Sequence, residues 1–335
     1  MTVERTRPAT LKDIAQRAGV SISTVSRVLD ERLPSSRSAA ADRVRVIAAE
    51  LGYSRDVLAS SLRRQGTDTI GVLVPRLTDT VMAVLFEAIA RECDRRGRFA
   101  VVSTTGDDED KDVSAADALL RRKVDGLILT TARTDMDTTA ALRNRGIPHV
   151  FALRTDGVTA SAVGDDTLGG FVATRHLIDL GHTDIGIVGG PSYASSAAGR
   201  MQGWDQALQE SGITARDDRR LSLGFQIEDG ERGGMALLDR EDRPTAIFAV
   251  NDNTAIGVLA AAHRLGLRVP EDVSIVGYND IPIASHLPVP LTTVRVPFDR
   301  VAADAVDLLL EVPQTDRIRV VQPTLIPRGT TTRPA

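Results

Sequence analysis

The chain has 335 residues, 42% of them hydrophobic and 26% charged, which suits a folded globular protein with more mass than one core serves. A single cysteine, Cys93, excludes an internal disulfide and a cysteine-based metal cluster. The polar start MTVERTRPAT lacks a signal-peptide core, and no stretch reaches the ~18 apolar residues of a membrane span, so a cytoplasmic protein with no membrane partner is expected.

Net charge is -4, but it is segregated. Residues 1–66 hold 12 basic and 7 acidic residues, a net of +5, which leaves -9 for the rest. A basic head on an acidic body points to a polyanion as the head's partner.

The first sixty residues read as helical. A helix over 11–18 starts at Thr10, with Asp13 three residues on, and stops at Gly19. A second covers 22–29 behind Ser21 as N-cap. A third, over 39–51, sets Val44, Ile47, Ala48 and Leu51 on one face and ends at Gly52. RDVLASSLRR, 55–64, reads as a fourth helix too short and polar to persist alone, and QGTDT is a linker. From residue 70 the pattern changes. TIGVLVP, RFAVVST, VDGLILTT and GIPHVFAL alternate with helices near 80–96, 112–122 and 136–145. The alternation then repeats: HTDIGIVGG, TAIFAVND and EDVSIVGYND are strands, with helices after VGDD and near 196–211, 230–240 and 253–265. A last helix near 298–310 precedes a closing strand in IRVVQPTLIPRGTT. The expected fold is a small all-α head plus an α/β body of two Rossmann-like subdomains.

The head meets the needs of a helix-turn-helix. Ala15 is small where two helices cross, Gly19 tolerates positive φ in the turn, and Val20, Val25 and Val28 pin the second helix. The other face of that helix carries Ser21, Ser23, Thr24, Ser26 and Arg27, which suit phosphates and base edges. The plain alternative is an ordinary helical hairpin. The third helix, the basic charge and the marginal fourth helix favour DNA. An enzyme is not expected: the five histidines show no metal spacing and no nucleophile partner, GIVGGP lacks a dinucleotide fingerprint, and no cofactor motif appears.

Residues 10–64 resemble the DNA-binding head of the LacI/GalR family of bacterial transcription regulators, through TLKDIAQRAGVSISTVSRVLD, RVIAAELGY and ASSL. The resemblance continues in GGFVATRHLIDLGHTDIGIVGG, GRMQGWDQAL, VNDNTAIGVLAAAHRLGLRVPEDVSIVGYND and LTTVRVPFDRVAADAVDLL, in order along nearly the whole chain. It implies a homodimer, with a tetramer as the alternative, on double-stranded, pseudopalindromic operator DNA, acting as a repressor under a small polar effector such as a sugar. It implies a body like the type I periplasmic binding proteins. Ile22 and Ser23, with Arg27 one turn on, would face the major groove, and Ser21, Thr24 and Ser26 the phosphates. In the family the fourth helix is a hinge that folds in pairs on DNA and wedges a leucine into the minor groove; Leu62 matches it and Ala59 the small residue before it. Arg55-Asp56 stands where the family often has Pro-Asn, and Ser60 where it often has Arg.

The resemblance also implies domains at 1–54, 55–69 and 70–335, the last split into an N-subdomain (70–162 and 296–322) and a C-subdomain (163–292 and 323–330). Three crossings join them, near 161–165, 291–296 and 321–325. The effector residues by motif are Arg200, Phe225, Asn251, Asn279 and Phe298, with no metal. Asn279 stands where the family commonly has Asp, DTVM (79–82) replaces Asn-Pro-Phe-Phe, and Leu153, before Arg154, replaces an Asp. Asp166 and Asp252 are read as helix caps. A ligand-binding protein without regulatory output is the alternative; the helical head argues against it.

Overall fold

The computed structural model describes residues 9–30, 36–53, 66–311 and 317–334. The chain forms two compact units, Met1–Thr67 and Asp68–Ala335.

The first unit holds α1 (Leu11–Ala18), α2 (Ile22–Val28) and α3 (Ala39–Glu50). Thr10 and Asp13 make a full capping box: the Thr10 side chain accepts from Asp13 N–H at 3.3 Å, and Thr10 N–H donates to Asp13 Oδ2 at 2.8 Å. Gly19 ends α1 at φ 67, the left-handed conformation that a side chain resists. Ile14, Ala15, Ala18, Val25, Val44 and Ala48 are buried together, with Val20, Val28, Ile47 and Leu51 packed around them. Ala41 opens the buried face of α3 one turn earlier than the apolar spacing suggests.

The second unit contains two six-stranded sheets. The first is built from β1 (Thr69–Val74), β2 (Phe99–Thr104), β3 (Gly126–Leu129), β4 (His149–Ala152), β5 (Ser161–Gly164) and β11 (Ile318–Val321), in the order β2-β1-β3-β4-β5-β11 and parallel throughout. The second takes β6 (Ile185–Gly189), β7 (Arg220–Ser222), β8 (Ala246–Ala249), β9 (Ser274–Asn279), β10 (Thr292–Arg295) and β12 (Thr324–Ile326), in the order β7-β6-β8-β9-β10-β12. Only β12 is antiparallel to its neighbour. The helices of this unit are α4 (Thr80–Arg95), α5 (Glu109–Arg121), α6 (Ala140–Asn144), α7 (Asp166–Asp179), α8 (Ser195–Glu210), α9 (Ile227–Leu238), α10 (Asp252–Arg264) and α11 (Phe298–Leu310).

The strands are short apolar runs because both faces are covered. In β1, Ile70, Val72 and Val74 face the core shared with α4 and α11, while Leu73 faces the one built with α5 and α6. Connections from β1 and β3 therefore leave toward opposite faces and open a crevice beyond their carboxyl ends, where ligands sit in open α/β sheets. The segment expected as one closing strand is two, β11 in one sheet and β12 in the other. Pro323, between them, has no N–H for a ladder. β7, a three-residue edge strand, carries too little pattern to be read from sequence. Among the described residues, no helix is long and apolar enough to cross a membrane.

Two helix pairs of the second sheet meet through backbone. A Cβ on Gly170 of α7 would lie 2.2 Å from the Arg200 carbonyl oxygen, and one on Gly203 of α8 would lie 2.1 Å from that of Thr167. Gly230 and Gly257 bring α9 and α10 equally close. Gly257→Ala forces its methyl to within 2.0 Å of the Ile227 carbonyl oxygen. Such overpacking is expected to cost about 1–3 kcal/mol or more. Urea denaturation of the full chain checks this, with a lower midpoint expected for the body transition.

Candidate DNA-reading face and effector cleft

Six of the sequence-predicted DNA residues lie on α2 and its cap. Ser21 is the N-cap: its Oγ accepts from Thr24 N–H at 3.1 Å and lies 2.8 Å from both Ser23 Oγ and Thr24 Oγ1. Three of the polar groups thus order one another. Val25 is buried, Thr24 and Ser26 are half-buried, and Ser23 and Arg27 are exposed. Ile22 is 47% exposed, a large apolar side chain at the start of the helix with no place in the core. Ala59 and Leu62 lie outside the described residues.

In the second unit the carboxyl ends of the strands meet across a cleft of about 40 Å³. From the first sheet come Arg76 and Asp79 after β1, Asp107 after β2, and Leu153 and Arg154 after β4. From the second come Ser196 and Arg200 of α8, Phe225 after β7, Asn251 after β8 and Asn279 at the end of β9.

Arg200 is the most firmly held. Its Nε donates to Asp166 Oδ1 at 2.8 Å, its Nη1 to the Val250 carbonyl at 2.7 Å, and its guanidinium lies 3.8 Å from the Tyr278 ring centre. Burial opposes its charge, but the Asp166 carboxylate outweighs burial and holds the guanidinium above its ordinary value. The backbone carries strain at two rims. Leu153 has φ 66, and Asn279 and Asp280 have φ 106 and 56. A left-handed γ-branched leucine is uncommon, and such conformations gather at ligand clamps.

The cleft is closed by its own side chains. Tyr193 Oη donates to Asp107 Oδ2 at 2.9 Å, and its carbonyl accepts from Thr134 N–H at 2.9 Å. The Arg133 guanidinium stacks on the Tyr193 ring at 3.7 Å. Asn253 Nδ2 donates to Asp79 Oδ1 at 3.0 Å, and Thr155 N–H to Ser195 Oγ at 2.9 Å. Asp79 also caps α4 through Val81 N–H at 3.0 Å. Burial nonetheless raises its carboxyl above the ordinary range.

Residues 10–56 match the family described as bacterial regulatory proteins, lacI family, and residues 174–331 match the periplasmic binding protein-like domain. The chain is 34% identical over 320 residues to the ribose operon repressor of Escherichia coli (strain K12), across 95% of this chain and 94% of that one. It is 34% identical over 329 residues to the HTH-type transcriptional repressor PurR of Pectobacterium carotovorum subsp. carotovorum (strain PC1), across 96% of each. Among solved structures, the lac repressor dimer bound to operator and the anti-inducer ONPF aligns with a TM-score of 0.85 at 29% identity, over 97% of this chain and 100% of that one. The chain belongs to the LacI family. It is a DNA-binding, effector-controlled transcriptional repressor and not an enzyme.

Within this LacI-family body, three sequence-based assignments need correction. The N-cap of α7 is Asp165, which accepts from Leu168 N–H at 2.9 Å; Asp166, one residue on, is already helical and turns to Arg200. The N-cap of α10 is Asn251, which accepts from Thr254 N–H at 2.7 Å. A cap must stand half out of the helix for its side chain to reach back to the third residue, and both aspartates are one position too late. Asn251 is thereby spent at both ends, since its Nδ2 donates to the Phe225 carbonyl at 3.0 Å. It braces the Phe225 loop. Phe298, read as a cleft residue, does not line the cleft; at the first turn of α11 it is 8% exposed and part of the apolar core. Asp107, Tyr193 and Asn253 were missed. The strand-end rule used for β8 and β9 applies equally to β2 and β6 and would have flagged the turns that hold Asp107 and Tyr193.

Asp252 is fully buried, with Oδ1 accepting from Thr293 Oγ1 at 2.6 Å and Oδ2 from Ile281 N–H at 2.8 Å. Burial pushes its carboxyl from 3.8 to about 7, against those hydrogen bonds and with the nearby Asp280 adding to the rise. The folded state therefore binds this proton more tightly than the unfolded state. The stability it contributes is full below 3.8 and is lost as pH rises toward 7. Carboxyl ¹³C NMR of aspartate-labelled protein is expected to show one resonance titrating near 7, absent in Asp252→Ala. A midpoint below 5 for that resonance would contradict the assignment.

Proposed function

We propose that residues 1–54 form the DNA-binding head, residues 55–69 a hinge and residues 70–335 a body that binds effector and dimerises. Two copies of the head occupy the half-sites of a pseudopalindromic operator, as protein two-fold symmetry requires. The observation that carries this reading is the pairing, in one chain, of a helix-turn-helix whose second helix turns Ile22, Ser23 and Arg27 outward with a strand-end cleft that draws on both sheets.

At the head, Arg27 reads a base and Ile22 presses an apolar edge such as a thymine methyl. Ser23 contributes a weaker groove contact, and Ser21, Thr24 and Ser26 steady the helix on phosphates. In the hinge, Leu62, with Ala59 before it, wedges the central minor groove. At the body, a small polar effector, a sugar or related metabolite, contacts Arg200, Asn279 and Phe225, with Asn251 holding the Phe225 loop. These groups belong to the second sheet, and Arg76, Asp79, Asp107 and Arg154 of the first sheet line the same cleft, so an effector held between them favours one angle between the two lobes. That angle sets the spacing of the paired hinges, so effector and operator are coupled through one two-state element, and reciprocally. The cellobiose complex of the regulator CelR, at 28% identity and a TM-score of 0.73, and a LacI-family regulator from Enterococcus faecium with bound ribose, at 27% and 0.68, support a carbohydrate-like effector.

The exposed Arg27 side chain makes no hydrogen bond or ion pair with the described residues, so Arg27→Ala is expected to leave the head folded. Binding to a panel of single-base operator variants is expected to lose about 1–3 kcal/mol at one base pair per half-site, with discrimination there relaxed. An equal loss on every variant would make Arg27 a phosphate contact. Wild-type affinity should fall steeply with salt; a flat dependence would remove the phosphate contacts altogether.

A further inference from the structure

Three buried arginines stand in the body, and they are held differently. Arg219, with 1% of its side chain exposed, sends Nε and Nη2 to the two oxygens of Asp184 at 2.8 Å each, and Nη1 to Asp218 at 3.1 Å. Arg200 has Asp166, the Val250 carbonyl and the Tyr278 ring. Arg154 is as buried, with 5% exposed, yet makes a single hydrogen bond, Nη1 to Asp107 Oδ1 at 3.3 Å. A guanidinium has five donors, and those that Asp107 leaves unspent are not sealed in the interior but open to the cleft. The rest of this one faces the cleft, 5.1 Å from the Phe225 ring centre and 5.9 Å from that of Tyr193. The left-handed backbone at Leu153, φ 66, turns the chain just before it.

We propose that the cleft takes an effector bearing a carboxylate beside several hydroxyl groups, a small polyhydroxy acid, and that Arg154 recognises the carboxylate. This rests on the cleft being the effector site. The planar fork of an arginine matches a carboxylate in paired hydrogen bonds and completes the donor set that Asp107 leaves open. The hydroxyls of a neutral sugar accept single hydrogen bonds there but offer neither the negative charge nor the paired planar acceptors that the fork matches. Two acidic side chains, Asp79 and Asp107, line the same cavity. They oppose a phosphate dianion more than a carboxylate and accept from hydroxyls; Asp79 Oδ2 has no protein donor among the described residues. The ring of Phe225 offers an apolar face for the carbon chain. As it stands the cavity of about 40 Å³ holds little more than one water. Binding therefore widens the cleft across the bonds that close it, Tyr193 to Asp107 among them, and leaves the Arg154–Asp107 pair within the first sheet's wall.

The test is calorimetry and thermal shift on the full-length protein with D-gluconate and D-galacturonate, their neutral counterparts D-glucose and D-galactose, and D-glucose 6-phosphate. At least one acid is expected to bind and raise the melting temperature, with its neutral and phosphorylated relatives at least tenfold weaker. Arg154→Leu is expected to weaken the acid tenfold or more. Arg154→Lys keeps the charge and loses the fork, is expected to fall between, and decides the matter if the leucine variant fails to fold by circular dichroism. The proposal is overturned if no acid binds, if a neutral sugar or the phosphate binds as well, or if the variants bind the acid unchanged. Acid binding that depends on Arg154 but leaves operator affinity unmoved would overturn the effector reading and spare this one. A ligand that shifts operator affinity and is held equally by the Arg154 variants would do the reverse.

Discussion

The buried ion pair between Arg200 and Asp166 fixes the geometry on which the second sheet's half of the cleft depends. A guanidinium with 6% of its side chain exposed keeps its charge only where carboxylate and carbonyl meet it, and the chain supplies both at 2.8 and 2.7 Å. Those partners come from the first turn of α7 and the end of β8, and Tyr278 beneath comes from β9. One side chain on α8 therefore ties together three other elements. Removing one partner of such a pair costs roughly 3–5 kcal/mol because the other charge is left buried. Backbone contact between α7 and α8, possible only because residues 170 and 203 are glycine, brings the pair within reach. Packing and polar chemistry are thus a single constraint here, and the strand-end residues of the cleft are set from it.

Closure of the cleft follows a different logic. Tyr193 to Asp107, Asn253 to Asp79 and Thr155 to Ser195 are single hydrogen bonds between the two sheets' loops. The neutral bond from Thr155 to Ser195 has a net worth of about 0.5–1.5 kcal/mol, and a bond to a carboxylate such as that of Asp107 about 1.5–3 kcal/mol. A set of weak, local bonds is what a two-state element needs, because an effector shifts an equilibrium only by its differential affinity for the two states.

Legibility followed the range of the physics involved. The helices of the head were readable because capping and left-handed turns are local: Thr10, Asp13, Gly19 and Ser21 each act within three residues. Strands such as β1 and β8 were readable because burial on both faces writes an unbroken apolar run. β7 was not, since three residues at a sheet edge carry no period; the closing stretch read as one strand, although the crossing expected near 321–325 falls between β11 and β12. The cleft was half legible. Arg200, Phe225, Asn251 and Asn279 reach it, but whether an amide is offered or spent depends on a partner 26 residues away, as with Asn251 and Phe225. Phe298 failed because a helix's first turn points as readily to the core as to a cleft. The aspartates failed by one residue, which is the whole distance between a cap and a buried partner.

The places where the sequence departs from its family's habits are also where the cleft is unusual. Leu153-Arg154 replaces an acidic position with a strained leucine and an under-bonded arginine, and DTVM replaces an aromatic stretch with Asp79, bonded across to Asn253. Fold and function separate in this way because function resides in side chains set upon a fold. At the cleft wall a substitution alters what can be bound at little cost to the fold, and Asp79, Leu153 and Arg154 all stand at that wall.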